Sequence, residues 1–168
     1  LEKHYPFPKQ ITAVAMGSLE KFRSRYPDTR AIEADGCNLP FKNDEFSISV
    51  SNAVLEHVGS RNQQLKFLLE LTRVARRGFF TTPNRLFPIE VHTRIPLLHL
   101  ILSKKYFDFF LSRIGKSWAT GTYMNLLSFR ELDALCKEAN IPHFRILRNR
   151  FLGFTITFSV VWQKDTIP

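Results

Sequence analysis

The order of short apolar runs and helical patterns constrains this fold more than any other feature of the sequence. Four runs have the length and composition of buried strands, at 11–16, 30–34, 46–50 and 78–82. Helical patterns at 19–26 and 63–74 separate the first run from the second and the third from the fourth. This alternation predicts an α/β domain with a doubly wound, mostly parallel sheet.

The last forty residues predict an antiparallel ending to the sheet. Ser128 and Glu131 have the spacing of a capping box, so we expect a helix to begin there. The apolar face of this helix comprises Leu132, Leu135, Cys136 and Ala139. Two β-like runs follow at 143–147 and 153–162, joined by a short basic connector, and such a pair is typical of an antiparallel hairpin.

The segment 86–127 interrupts the alternation, and we interpret it as an insertion or lid within a single domain spanning residues 1–168. It is rich in proline, aromatic and aliphatic residues, and its pattern predicts a helix over 96–114. The apolar stretch 106–111 follows two lysines and suits peripheral contact with a membrane or a lid over a lipid-like substrate. A helix packed on the core is the commoner outcome in a chain with 16 Phe.

The balance of charge is basic, with 24 Lys and Arg against 15 Asp and Glu and a net charge of +9. Nucleic acid, anionic lipid, an acidic substrate and a simple solvated surface all fit this balance. The basic residues are spread along the chain, which favours the solvated surface. Local clusters occur only at Arg73, Arg76 and Arg77, and at Arg145, Arg148 and Arg150.

The sequence also bounds the cellular setting. Cys37 and Cys136 match neither a metal-binding spacing nor a disulfide framework, so we expect a reducing, cytoplasmic environment. The apolar run 95–102 is too short to cross a membrane, and no signal peptide opens the chain. Because the sequence begins without Met, we expect a fragment of a longer protein.

Small or acidic residues end two neighbouring strands of the predicted sheet. Asp35 and Gly36 follow the second run, while Ser51, Asn52 and Ala53 follow the third. Ligands of open α/β sheets bind beyond the carboxyl ends of the strands, so these residues predict one shared crevice. The same residues also suit turns and a helix cap, and the pattern alone does not decide between the two interpretations.

Several motifs recur together along the first half of the chain. They are Asp35-Gly36, Leu39-Pro40-Phe41, Asn52-Ala53-Val54-Leu55-Glu56-His57-Val58, Arg73-Val74 and Thr81-Thr82-Pro83-Asn84. Together they resemble class I S-adenosylmethionine-dependent methyltransferases, most closely the branch of ubiquinone and menaquinone C-methyltransferases. The resemblance covers 11–84, and 128–162 suits the same fold. It implies methyl transfer from S-adenosylmethionine to a small-molecule or lipid-like acceptor.

The resemblance also implies roles for individual residues. Asp35 would face the adenine amino group, with the backbone of Gly36 and Cys37 beside the ring. Ser51, Asn52 and Ala53 would line the methionine part of the cofactor. The residues expected around the acceptor are Glu56, Asn84, Arg85 and Tyr123. Glu56 and His57 would begin a helix that faces the transferred methyl group.

A catalytic base is needed only when the acceptor is a hydroxyl, an acidic carbon or a protonated amine. His57 and His92 are the candidates, His57 at the mouth of the crevice and His92 in a polar loop. Each has a structural alternative, because His57 also suits a backbone-bonded residue at a helix start and His92 a simple connector.

The sequence departs from the family in two places. The glycine-rich loop and the first, central strand before it have no counterpart here. After the run 11–16 the family has a ribose-binding acid, whereas this chain has Gly17, and Glu20 is the nearest acid. These departures leave open a degenerate, non-catalytic binding module. A nucleic-acid methyltransferase fits less well, because the Asn-Pro-Pro-Tyr type of motif is absent after the fourth run.

Overall fold

The structure is a computed structural model that describes residues 4–88, 98–117, 120 and 125–164. Within them the chain forms, in order, β1 (Thr12–Ala15), α1 (Glu20–Arg25), β2 (Arg30–Glu33), β3 (Phe46–Asn52), α2 (Arg61–Arg73), β4 (Ala75–Pro83), α3 (Leu98–Ile101), α4 (Lys104–Arg113), α5 (Phe129–Glu138), β5 (Arg145–Phe151) and β6 (Phe154–Gln163). The predicted alternation of strands and helices is therefore present.

The strands of the described residues form two sheets. β1 and β2 pair in parallel, and a four-stranded sheet has the order β3-β4-β6-β5. β3 and β4 are parallel, but β6 runs antiparallel to both β4 and β5. The larger sheet is thus mixed, and the prediction of a mostly parallel sheet was wrong for this part of the fold. Only Leu152 and Gly153 connect β5 to β6, and so short a connection requires antiparallel strands.

The two sheets are separated between β1 and β3. Among the described residues, β1 pairs only with β2 and β3 pairs only with β4, so each strand has one unpaired edge. Val14 of β1 and Ile32 of β2 nevertheless pack against the same core as the larger sheet. The described sheets are thus not joined between β1 and β3, which is where the resemblance implies a central strand.

One face of the larger sheet is buried by helices and the other is open. Phe80, Phe158 and Val160 are almost completely inaccessible and pack in one cluster with Leu68 of α2 and Leu132 of α5. The opposite face carries exposed apolar side chains from all four strands: Ile48, Val50, Phe79, Leu147 and Val161. The core therefore lies between this sheet and the pair of helices α2 and α5.

Helix α2 begins at Arg61, two residues before the predicted start. Ser60 is its N-cap and forms a capping box with Gln63, in which each side chain bonds the other residue's backbone N–H. Glu56 and His57, which were expected to begin this helix, instead lie in a 3₁₀ turn, Leu55–His57. The expectation was wrong because Gly59, with a φ of 108°, redirects the chain before the helix starts.

The C-terminal elements agree in kind with the sequence but differ at their ends. The capping box of Ser128 and Glu131 is present at the start of α5. β5 begins at Arg145 rather than at residue 143. The left-handed φ of His143, 39°, places that residue in a turn before the strand.

The described part of the segment 86–127 contains two helices where one was predicted. Ser103 has an extended conformation and precedes α4, so the helix is interrupted between α3 and α4. Phe107 and Leu111 of α4 are buried against Leu98 and Leu102. Residues 96 and 97, at the start of the predicted helix, lie outside the described residues. None of the helices in the described ranges is long and apolar enough to cross a membrane.

Candidate functional site

Asp35 lies two residues beyond the end of β2 and presents an exposed carboxylate. Its Oδ1 accepts a hydrogen bond from the backbone N–H of Cys37 at 2.8 Å, and its carbonyl accepts one from Asn38 at 2.9 Å. This is the Asx-turn geometry that the sequence offered as the structural alternative. The turn fixes the carboxylate at the strand end without burying it, so the side chain is both a turn former and an accessible acceptor.

Gly36 lies against the ring of Phe67 in helix α2. A Cβ at this position would be 2.8 Å from the Phe67 Cε2, closer than two carbon atoms can approach. Phe67 is itself buried and cannot move aside at low cost. Glycine is therefore required here by packing, because it lets the loop after β2 lie directly on α2.

Cys37 supports this loop with its side chain. Its thiol donates a weak hydrogen bond to the Gln63 carbonyl at 3.4 Å. Burial raises the pKa of the Cys37 thiol, and the neighbouring Asp35 carboxylate raises it further. The sulfur is thus protonated at neutral pH and has no nucleophilic role, which leaves the backbone of Cys37 as the part that can face a ligand.

A pair of charged residues on α2 holds the rest of the loop. Glu70 accepts a hydrogen bond from the backbone N–H of Leu39 at 2.7 Å. Arg73 donates to the carbonyls of Leu39 and Phe41 at 3.1 and 2.7 Å, and its Nε lies 2.6 Å from Glu70 Oε1. The hydrogen bond from Arg73 lowers the pKa of Glu70 despite partial burial, and the Leu39 N–H adds to this. Arg73 belongs to one of the motifs given above, but its anchoring role was not predicted from the sequence.

The end of β3 is fixed by the hydroxyl of Thr81 on the neighbouring strand β4. Thr81 Oγ1 donates to Asn52 Oδ1 at 2.6 Å and accepts from the backbone N–H of Ala53 at 3.1 Å. Ala53 has a left-handed φ of 51°, an uncommon conformation for a residue with a Cβ. The chain thus turns sharply at the carboxyl end of β3, and it leaves Asn52 exposed there.

Ser51 faces the opposite way from Asn52. It is paired with Phe80 in the sheet and is buried on the side covered by the helices. Within the described part of the chain, Ser51 Oγ is buried without a hydrogen-bond partner. Successive residues of a strand alternate between the two faces, so Ser51 and Asn52 cannot line one surface with their side chains. The Ser51 side chain is therefore directed into the core, away from Asn52.

Glu56 is fully buried and links three segments. Its Oε2 accepts from Thr82 Oγ1 at 3.1 Å, and its carbonyl accepts from the backbone N–H of Asn125 at 2.8 Å. His57 is exposed, with Nε2 at 3.8 Å from Glu56 Oε1. The structure therefore brings these two predicted residues together, Glu56 inside the protein and His57 at its surface.

Gln64 reinforces this region and was missed by the sequence analysis. Its side chain is buried and donates to the carbonyls of Leu55 and Asn125 at 3.2 and 2.9 Å. Asn125 in turn donates to the carbonyl of Gly59 at 2.7 Å. The sequence signal was a polar residue on the apolar face of α2, which in a buried position requires hydrogen-bond partners.

Asn84 and Arg85 follow β4 and are both engaged with the protein. The Asn84 amide donates to the Thr155 carbonyl at 2.8 Å, and its Oδ1 accepts from the backbone N–H of Leu86 at 3.1 Å. Arg85 bonds Glu131 at 2.8 Å. Burial opposes ionisation of Glu131, but hydrogen bonds from Ser128 and Arg85 outweigh it and lower the pKa. Contact of Asn84 and Arg85 with an acceptor stays a prediction, and His92 and Tyr123 lie outside the described residues.

Residues 3–80, just under half of the chain, match a family described as a methyltransferase domain. No curated protein sequence matches the chain. Solved structures do. A SAM-dependent methyltransferase from Methanosarcina mazei superimposes with a TM-score of 0.62 at 15% identity, over 89% of this chain and 79% of that one. A possible histamine N-methyltransferase from Thermotoga maritima gives 0.57 at 12% identity, over 92% and 73% of the two chains.

A third similar structure is phosphoethanolamine N-methyltransferase 2 of Haemonchus contortus in complex with S-adenosyl-L-methionine, with a TM-score of 0.60 at 9% identity. The match covers 94% of this chain but only 44% of that longer one. These likenesses establish the fold, which is the Rossmann-like fold of S-adenosylmethionine-dependent methyltransferases. The family match over residues 3–80 agrees with this fold.

Proposed function

We propose that the protein transfers a methyl group from S-adenosylmethionine to a small-molecule or lipid-like acceptor, in the manner of the ubiquinone and menaquinone branch. The observation that carries the proposal is the pair of fixed strand ends. Asp35 is held by its own turn over α2, and Asn52 is held by Thr81 at the end of β3. Both residues are exposed, Asp35 just after β2 and Asn52 as the last residue of β3, and each of these strands has a parallel neighbour.

The residues at these strand ends fit the two polar parts of the cofactor. The Asp35 carboxylate is an exposed hydrogen-bond acceptor, which suits the amino group of adenine. Asn52 and the backbone of Ser51 and Ala53 would hold the methionine end. When bound, S-adenosylmethionine supplies an activated methyl group on a sulfonium, so the protein needs mainly to align the acceptor and exclude water.

His57 is the described residue best placed to act as a base. Its ring is exposed beside the turn that follows β3, and the Glu56 carboxyl lies 3.8 Å away. We propose that His57 acts as a base for an acceptor that is a hydroxyl or an acidic carbon, with His92 as a second candidate. Asn84, Arg85 and Tyr123 would border the acceptor, whereas the buried Glu56 would not reach it.

A second candidate function is a non-catalytic binding module of the same fold. The residues after β1 support it, because Gly17 stands where the resemblance implies a ribose-binding acid. A module of this kind would keep the strand ends for binding another molecule and would show no cofactor-dependent activity.

Calorimetric titration of S-adenosylmethionine and S-adenosylhomocysteine separates the two candidates. The protein is expected to bind both, and Asp35→Asn is expected to weaken binding by about tenfold, because it removes a charged acceptor while keeping the turn. Asp28→Asn is the matched control, since Asp28 is also an exposed turn aspartate but precedes β2. Absence of binding, or equal effects of the two substitutions, would contradict the proposed cofactor site.

A further inference from the structure

Three large apolar side chains are exposed together where β5 turns into β6. We call residues 151–154 the β5–β6 tip. Phe151, Leu152 and Phe154 are 59, 82 and 56% exposed, and Leu152 is the most exposed large apolar residue among those described. From the sequence, Phe151 and Leu152 were expected in the short basic connector and Phe154 in the strand after it. Contiguous apolar residues at a protruding turn are a mark of interaction surfaces rather than of folding.

The backbone conformation of the β5–β6 tip is unfavourable for leucine. Leu152 and Gly153 have φ values of 48° and 84°, so both lie in the left-handed region. Two-residue turns of this kind favour Asn-Gly, because asparagine and glycine tolerate that conformation. Leucine is disfavoured there on steric grounds and gains no burial in return. A residue that opposes both local folding and solubility indicates a function for its side chain.

The surroundings of the β5–β6 tip are positively charged. Arg145, Arg148 and Arg150 precede it on β5, and no Asp or Glu occurs between residues 139 and 164. The acidic residues of the adjacent helix α5 are already paired: Glu131 with Arg85, Asp133 with Lys137, and Glu138 with Arg61. Arg148 lies over the Phe129 ring, 4.1 Å from its centroid. Nothing in the described structure therefore neutralises this charge locally.

The β5–β6 tip lies at the same end of the larger sheet as the candidate site. Thr157 of β6 pairs with Pro83 at the carboxyl end of β4, and the Thr155 carbonyl accepts from Asn84. Leu86, which follows Asn84, is also an exposed apolar residue. The exposed apolar groups thus extend from the tip towards the loop that follows β4.

We propose that the β5–β6 tip docks on an anionic lipid surface. Phe151, Leu152 and Phe154 would enter the boundary between head groups and acyl chains, while Arg150 would stay at the level of the phosphates. Nucleic acid fits less well, because bases could stack on Phe151 and Phe154 but would leave the most exposed residue, the aliphatic Leu152, without a role. Binding of the β5–β6 tip to vesicles can be measured without methyl transfer, so failure of this proposal can be distinguished from failure of the proposed function.

Flotation with lipid vesicles tests the proposal. The protein is expected to float with vesicles of equal parts phosphatidylcholine and phosphatidylglycerol and to remain behind with phosphatidylcholine alone. Leu152→Asn should weaken binding by about tenfold or more, because it removes one inserted apolar side chain. Asparagine suits the left-handed turn, so the variant should fold at least as stably as the parent, as thermal unfolding will show. Leu69→Asn, at an exposed leucine of α2, should bind as the parent does.

The charge is tested by a second matched pair. Arg150→Gln should reduce vesicle binding by about fivefold, whereas Arg76→Gln, near the other end of β4, should have little effect. The proposal fails if the protein does not float with anionic vesicles, or if Leu152→Asn floats like the parent. Equal losses of vesicle binding for Arg150→Gln and Arg76→Gln would also overturn the proposal. They would indicate that the vesicles attract the net charge of the protein and not the β5–β6 tip. Tight binding of single-stranded RNA that depends on Arg150 but not on Leu152 would assign the surface to nucleic acid instead.

Discussion

Ala53 shows how much of the site depends on the conformation of single residues. Its left-handed φ turns the chain at the end of β3, and its N–H bonds both the carbonyl and the hydroxyl of Thr81 at 3.1 Å. Such a conformation costs free energy and persists only where neighbours enforce it. The sharp turn at the end of β3 therefore depends on the small side chain of Ala53.

A larger, β-branched side chain at this position should not be tolerated. Ala53→Val is expected to lower the free energy of unfolding by about 1–3 kcal/mol, because valine is strongly disfavoured at positive φ. Ala53→Gly should change it by less than about 1 kcal/mol, since relief of strain is offset by the greater entropy of the unfolded chain. Urea denaturation followed by circular dichroism measures both. A valine variant as stable as the parent would show that this turn is not constrained.

The sequence predicted which residues end the strands, but not how their side chains are directed. Asp35 and Asn52 were selected because small or acidic residues follow apolar runs, and both are accessible at strand ends. Ser51 was selected by the same argument, yet its side chain is on the buried face. A shift of one residue reverses the direction of a side chain in a strand, and a sequence pattern does not locate strand ends that precisely.

At the scale of elements, helix α2 is the support for the loop that carries Asp35. Phe67 packs under Gly36, while Glu70 and Arg73 bond the backbone of Leu39 and Phe41. Helix α2 was predicted from its apolar period, and the capping residue Ser128 of α5 from its spacing to Glu131. The anchoring by Glu70 was not predicted, because the loop it contacts is about 30 residues away in sequence and is brought near only by the fold.

The anchoring of this loop should depend on pH. The pKa of Glu70 is lowered from its ordinary value of 4.5 in the folded protein, chiefly by the hydrogen bond from Arg73. A carboxyl group with a lowered folded pKa stabilises the fold above its unfolded pKa and loses this effect as the pH falls through the folded value. The parent should therefore be more stable than Glu70→Gln at neutral pH, and the difference should shrink below pH 4.5.

Urea denaturation of both proteins between about pH 7 and pH 3 measures this difference. Glu20→Gln is the control, because it removes an exposed carboxylate from a different helix, α1. A difference between the parent and Glu70→Gln that stays constant across the range would show that the charge of Glu70 does not hold the loop.

Within the described residues, the strands form two hydrogen-bonded sheets of unequal size. β1 and β2 have four residues each, and every residue in them is at least partly exposed. β4 and β6 are nine and ten residues long, and each contributes several buried residues to the core. The candidate site draws Asp35 from the loop after the smaller sheet and Asn52 from the larger one, so its geometry depends on how firmly the smaller sheet is held.

Hydrogen exchange should reveal this difference directly. Amides of β1 and β2 are expected to exchange much faster than those of β4 and β6, because a short two-stranded sheet opens at lower cost than a buried four-stranded one. Mass spectrometry of peptides covering residues 11–34 and 75–83 makes the comparison. Equal protection in the two regions would mean that the sheets open together.

Among the described residues, β3 has one unpaired edge, and this has a further consequence for the behaviour of the protein in concentrated solution. An open strand edge is a template for strands of other molecules, and natural proteins guard such edges with lysine, proline or inward-pointing charge. The strand Phe46–Asn52 has the sequence FSISVSN and carries none of these guards. Ile48 and Val50 are exposed on it as well. A free β3 edge would thus promote intermolecular strand addition, and the tendency of this chain to form β-rich aggregates should rise steeply with its concentration.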